Sequence, residues 1–190
     1  MGSCAGLLLA AGAGRRFGRP KALVELDGEP LLRRALRTLT DGGCAPVRVV
    51  VGAQAEDVRA LLPDRSLAVH AEDWATGMGA SLRAGLRALP EADAVVVHLV
   101  DLPQVDARVV ARLTALASPE VVARAAYDGQ PGHPVLFGRR WWAEVADSAS
   151  GDRGARNWLA PRRDVRLVEC GDLGSGFDVD TPDDLLKVEG

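Results

Sequence analysis

The chain has 190 residues, of which 47% are hydrophobic and 26% charged, enough to bury a full α/β core as one domain spanning residues 1–190. A formal net charge of −3 excludes a general nucleic-acid or membrane-surface binder, so any anion site has to be local. Cys4, Cys44 and Cys170 are odd in number and far apart, with no CxxC and no histidine at ligand spacing; this excludes a disulfide frame or zinc site and points to reduced thiols in a cytoplasmic protein.

The first predicted strand, residues 5–10, is a continuous apolar run too short for a membrane span and without a preceding basic region. It runs into a glycine loop. Gly12, Gly14 and Gly18 let backbone N–H groups turn toward one centre, and Arg15, Arg16, Arg19 and Lys21 add charge, the composition of an anion-binding nest. Lys21 and Lys187 are the two lysines of a chain that otherwise uses arginine, which makes the lysine inside the loop informative. The loop is not a Walker A motif, and its GxGxxxG is one residue longer than the dinucleotide fingerprint. The strand that follows, VVVGAQ, also ends without an acid to hold a ribose.

Pro30 opens a helix whose apolar face is Leu31, Leu32, Ala35, Leu36 and Leu39, ended by Gly42-Gly43. Strands at 47–51, 68–70 and 94–100 then alternate with helices at 55–62, 79–89 and 105–116. Less regular strands follow at 121–125, 134–137 and 165–168. Strand–helix–strand order through residue 117 predicts an α/β fold, Rossmann-like and doubly wound, with a mostly parallel sheet and a partly antiparallel edge.

Two places offer acids. AVVVHLVD ends a buried strand in Asp101, before Leu102-Pro103; the acid either caps the next helix or faces the ligand edge of the sheet. FDVDTPDDL supplies Asp178 and Asp180, sent to the same side by alternation. Spacing alone leaves open which of the two ligates. A magnesium ion takes one or two carboxylates together with phosphate oxygens and water. Thr181-Pro182 reads as a helix start, with Asp183 and Asp184 as first-turn acids.

LAAGAGRRFGRPK (9–21) resembles the signature loop of the MobA-like nucleotidyltransferases. WATGMGASLRAG (74–85), VDLP (100–103), GHPVLF (132–137), GARNWL (154–159) and DVDTPDDL (178–185) fall in that family's order along nearly the whole chain. Within the group the chain is most similar to molybdenum cofactor cytidylyltransferases. The resemblance implies a Rossmann-like mixed sheet and a nucleoside triphosphate, CTP or GTP, held at Ala10, Ala11, Gly12, Ala13 and Gly14, with Arg16 and Lys21 on the phosphates. It implies base recognition by Gly77, Met78 and Ser81, and a magnesium ion on Asp101 and, by the family's pattern, Asp180 in preference to Asp178. Arg16, Lys21 and Asp101 would be the catalytic groups, while His133 and Arg156 would line the site of a phosphorylated pterin-type acceptor. Trp74 serves packing or stacking equally well. A molybdoenzyme client is a further implied partner. The expected reaction is attack by the acceptor's phosphate on the α-phosphorus, releasing pyrophosphate.

Three alternatives remain. A GTP-dependent molybdopterin guanylyltransferase more often reads LAGG where this chain has LAAG. A methylerythritol-phosphate cytidylyltransferase would show a basic residue, as in DAARP, where this chain has VDLPQV. A non-catalytic accessory protein of a molybdoenzyme has no need of Lys21, Asp101 and Asp180 together.

Overall fold

In the computed structural model, which describes residues 2–190, strand β1 (Cys4–Leu9) is buried along its whole length. Such a run has no polar face to offer water and is stable only when covered on both sides. It lies in a seven-stranded sheet, parallel to β4 (Val47–Val51) on one flank and β6 (Ala94–Leu99) on the other. β5 (Ala68–His70) extends the parallel set beyond β4. Past β6 come β8 (Gln130–Gly138), β7 (Val122–Tyr127) and β9 (Arg166–Glu169). The antiparallel part falls in the second half of the chain and is carried by β8, which runs against β6 and β7; β9 at the edge is parallel to β7. A small hairpin, β2 (Glu25–Leu26) with β3 (Glu29–Pro30), stands apart from this sheet. Asp27 and Gly28 turn it, both at positive φ, as Asp-Gly hairpin turns require.

Helix α1 (Leu31–Asp41) buries Leu31, Leu32, Ala35, Leu36 and Leu39, the stripe its spacing dictates. Pro30 sits one position before the helix, with an extended ψ of 138°, so that it closes β3 and α1 begins at Leu31. α1, α2 (Ala55–Ala60) and α4 (Ala107–Thr114) pack on the sheet face that carries Cys4 and Leu8. α3 (Met78–Arg87), α5 (Trp142–Ser148) and α6 (Arg156–Leu159) cover the face with Ala5, Leu7 and Leu9. α3 lies very close to that face: a Cβ on Gly85 would come within 2.7 Å of the Leu7 side chain. A short last helix, α7 (Pro182–Leu186), follows β9.

After β1 the chain moves outward to β4 and β5, then returns to β6 on the opposite flank of β1. Where strand order reverses, the two connections part and open a crevice at the carboxyl ends of β1 and β6. No helix among the described residues is long and apolar enough to cross a membrane.

Candidate functional site

The loop after β1 starts from a fixed base. Ala10 and Ala11 are buried; the Ala10 N–H donates to the Val50 carbonyl, and the Ala11 carbonyl accepts from the Ala53 N–H. Gly12 then leaves the sheet, and nothing lies within 4 Å of where its Cβ would stand. Gly14 has φ +63°, and its carbonyl accepts from both the Phe17 and Gly18 N–H groups. A Cβ there would fall 1.8 Å from the Arg19 carbonyl oxygen, so the turn closes only around glycine. Ala13 lies between the two glycines and is partly buried. The loop ends in a 3-10 turn, Lys21–Leu23, anchored by the buried Ala22 and Val24.

From this anchor the Lys21 side chain, only 17% exposed, reaches both acidic segments. Its Nζ donates to Asp101 Oδ2 at 2.8 Å and to Asp180 Oδ1 at 2.5 Å. Burial disfavours the ammonium, but the charges and hydrogen bonds of Asp101 and Asp180 outweigh it and raise the Lys21 pKa above the usual lysine value. Arg16, with its side chain 78% exposed, approaches Asp180 Oδ2 at 3.5 Å.

Asp101 follows β6, in the turn closed over the buried Leu102 and Val105. Capping of α4 falls to Asp106, whose side chain accepts from the Arg108 N–H at 2.7 Å. Asp178 and Asp180 arrive on the segment before α7. There the Ser175 N–H donates to the Gln104 carbonyl, and Gly176 lies so close over the Tyr127 ring that a Cβ would sit 2.7 Å from it. The Val179 N–H donates to the Asp101 carbonyl at 2.9 Å and its side chain is buried, which turns both flanking aspartates outward. A capping box joins Thr181 and Asp184, and Asp184 Oδ2 also accepts from the Asp180 N–H at 3.1 Å. Asp101, Asp178 and Asp180 each offer a carboxylate oxygen, all within 4.8 Å of one another. The hydrogen bond from Lys21 holds the Asp180 carboxyl below its usual range, while burial and then the Asp180 charge push Asp178 up. Clustered hard oxygen donors of this kind fit a divalent cation such as Mg²⁺ or Mn²⁺.

Gly77 has φ +125° and stands before α3. A Cβ on it would meet Gly151 at 2.5 Å, and one on Gly79 would meet the Ser150 backbone at 2.5 Å. Both glycines let the start of α3 press against residues 150–152. Met78 is exposed and borders Gly154, whereas Ser81 is buried in the first turn. Trp74 is partly buried against the apolar core of this face and lies over Gly52.

His133 and Arg156 stand on β8 and at the start of α6. Val97 of β6 pairs with Val135 of β8, so His133 comes level with Leu99, two residues before Asp101. Burial, then the nearby charges of Arg124 and Arg156, lower the His133 pKa to about 4. The structure thus brings Arg16, Lys21, Asp101 and Asp180 into direct contact, adds Asp178 to the carboxylates, and sets Gly77, Met78, Ser81, His133 and Arg156 on neighbouring elements. Arg124, whose charge lies near His133, does not stand out as a ligand group in the sequence. Its signal was a charge interrupting an apolar strand, VVARAAY.

The MobA-like NTP transferase domain matches residues 6–167; Asp178 and Asp180 lie beyond that stretch. Nicotine blue oxidoreductase of Paenarthrobacter nicotinovorans is 38% identical over 195 residues, covering 96% of this chain and 95% of the relative. A molybdenum cofactor guanylyltransferase of Rhizobium johnstonii is 36% identical over 201 residues, covering 97% and 91%. Among solved structures, Rv0371c of Mycobacterium tuberculosis H37Rv superposes with a TM-score of 0.83 at 29% identity, covering 98% of this chain and 97% of that one. A manganese complex of the same protein gives a TM-score of 0.79. The two curated relatives carry names from different enzyme classes, so ancestry alone does not name the acceptor. A match across 6–167 that begins inside β1, takes in the whole glycine loop and Asp101, and ends in β9 settles the ancestry itself: the chain belongs to the MobA-like NTP transferase family of nucleotidyltransferases.

Proposed function

We propose that the chain moves a nucleoside monophosphate, CMP in preference to GMP, from its triphosphate to a phosphorylated acceptor of the molybdopterin type. The acceptor's phosphate oxygen attacks the α-phosphorus, the bond to the β-phosphate oxygen breaks, and pyrophosphate leaves. The nucleophile is already an anion near neutral pH, so no general base is needed, and catalysis rests on positioning and on charge neutralisation. Ala10 anchors the loop to the sheet, the amides from Ala11 to Gly14 cradle the phosphates, Arg16 and Lys21 take up the charge gained by the leaving pyrophosphate, and Gly77, Met78 and Ser81 meet the base. Asp101 and Asp180, with Asp178 beside them, hold Mg²⁺, which neutralises phosphate charge when bound. His133 and Arg156 line the acceptor side. On this reading, residues 1–190 work as one cytoplasmic domain with a molybdoenzyme as client.

One observation carries the reading: Lys21 Nζ, at the end of the glycine loop, is held between Asp101 and Asp180, acids that lie 80 and 159 residues further along the chain. The preference for CTP rests on LAAG; the guanylyltransferase relative keeps GTP as the alternative. The test is pyrophosphate release with CTP, GTP, ATP and UTP in turn, with molybdopterin or its molybdenum form as acceptor and Mg²⁺ or Mn²⁺ present. Lys21→Ala and Asp101→Ala should each lose about 3 kcal/mol of transition-state stabilisation, on the order of 10²-fold in rate. Near-normal turnover in both variants would remove these assignments.

A second reading, as a reductase, is favoured by the 38% identity to an oxidoreductase. The overlong glycine spacing and the absence of an acid where β4 ends at Val51-Gly52 speak against a dinucleotide site. Consumption of NADH or NADPH with nicotine blue, and no pyrophosphate release, would favour it.

A further inference from the structure

β7 carries a charge where its neighbours admit none. Ala123 and Ala125 are fully buried on either side of Arg124. Arg124 pairs with Val135, and Val122 and Val135 share a core cluster with Trp158 and Leu159 of α6. Alternation along β7 therefore turns Arg124 toward the sheet face that α6 covers. Its one hydrogen bond runs from Nε to the Gly132 carbonyl at 3.1 Å. The two terminal nitrogens have no hydrogen-bond acceptor, and no carboxylate lies within 4.0 Å, among the described residues. Arg156, on α6, likewise has no acidic partner among them. Burial, and then the charge of Arg156, lower the Arg124 pKa, and burial, then the charges of Arg124 and Arg156, lower that of His133. The backbone around this cluster is fixed, since the Tyr127 hydroxyl donates to the His133 carbonyl at 2.8 Å.

A half-buried guanidinium without a counter-charge costs stability, and Arg124 with the exposed Arg156 beside one imidazole concentrates positive charge that no acidic side chain among the described residues pairs with. Guanidinium forks match the oxygens of a phosphate, and a neutral imidazole adds one N–H donor. We infer that Arg124, together with Arg156 and His133, forms the subsite that binds the acceptor as a phosphate monoester dianion, and that Arg124 is a specificity-determining residue. This rests on the nucleotidyltransferase reading for its role but not for its existence as an anion site.

The test is calorimetric titration of inorganic phosphate into wild type, Lys21→Ala, Arg124→Met and Arg124→Lys. Phosphate binding should survive in Lys21→Ala, fall roughly tenfold or more in Arg124→Met, and be partly kept in Arg124→Lys. Arg124→Met should show a Tm equal to or above wild type, because it removes an uncompensated charge; a purely structural arginine would lower it. In turnover the variant should raise the acceptor KM with the NTP KM unchanged. Phosphate affinity that follows Lys21 and is indifferent to both Arg124 substitutions would overturn the subsite, and the lysine variant decides the matter if the methionine variant does not fold. Wild type that takes phosphate through Arg124 yet binds no nucleotide would leave the subsite standing and remove the nucleotidyltransferase reading instead.

Discussion

A divalent cation bound at the three carboxylates would compete with Lys21 for the same oxygens. Asp101 Oδ2 and Asp180 Oδ1 both accept from its ammonium, and a third carboxylate, Asp178, lies within the same 4.8 Å cluster. Three close carboxylates repel one another unless a cation sits among them. Lys21→Ala is therefore expected to destabilise the protein by about 2 kcal/mol in chelator, read as a lowered urea midpoint. Added Mn²⁺ or Mg²⁺ should recover more of that loss in the variant than it adds to wild type. Equal midpoints with and without metal in both proteins would show that the acids do not form a cation site. Spacing could send Asp178 and Asp180 to one side, but that Lys21 reaches Asp180 is set from across the fold, which no local pattern shows.

The glycine loop separates two roles that a sequence merges. Gly14 is required by the chain itself, with φ +63° and no room for a Cβ beside Arg19, whereas Gly12 has open space where its Cβ would stand. Gly14→Ala should thus lower Tm and weaken nucleotide binding together. Gly12→Ala should leave stability within about 0.5 kcal/mol of wild type and lose nucleotide affinity only if the backbone there closes on phosphates. Thermal denaturation with and without CTP or GTP reads both effects; nucleotide affinity untouched by Gly12→Ala would place the phosphates elsewhere. Among the elements, the continuous buried strands β1, β4 and β6 and the stripe of α1 were legible, because burial on both faces or on one leaves a clear period. β8 begins four residues earlier than the apolar run 134–137, since Gln130 and Pro131 are made extended by pairing with β7 rather than by their own preference. β2 and β3 are two residues each, too short for any period. The stretch through α5 and α6 is held by tertiary contacts such as Arg162 stacked 4.1 Å over Trp158 and 4.3 Å over Trp141, which no local pattern announces.

At the scale of the molecule, a sheet buried on both faces constrains what its polar side chains can do. His98 on β6 is fully buried, and neither ring nitrogen has a hydrogen-bond partner among the described residues. Burial, then the proximity of His133, lowers its pKa to about 3, and His133 stands at about 4. Both bases are thus harder to protonate folded than unfolded, where the pKa is near 6.5. Below that value the unfolded chain binds protons the native state refuses, so stability is fully present above pH 6.5 and falls as pH drops toward 4. Between pH 7 and 5 each histidine should remove up to about 2 kcal/mol. Asp184 does not contribute in that window, since its carboxyl, held down by Lys187 and Thr181, loses its share only between 3.8 and about 2. Urea midpoints at pH 7 and 5 should therefore differ in wild type and differ less in His98→Leu, which removes one titrating base and two unpaired nitrogens; an unchanged difference would place the acid sensitivity elsewhere. Inorganic phosphate at constant ionic strength should shrink the remaining share of His133, because an anion between Arg124 and Arg156 offsets the charges that add to burial in holding its pKa down. In Arg124→Met the same phosphate should have little effect on the acid limb, tying the stability of the whole molecule to the charge stored on one strand.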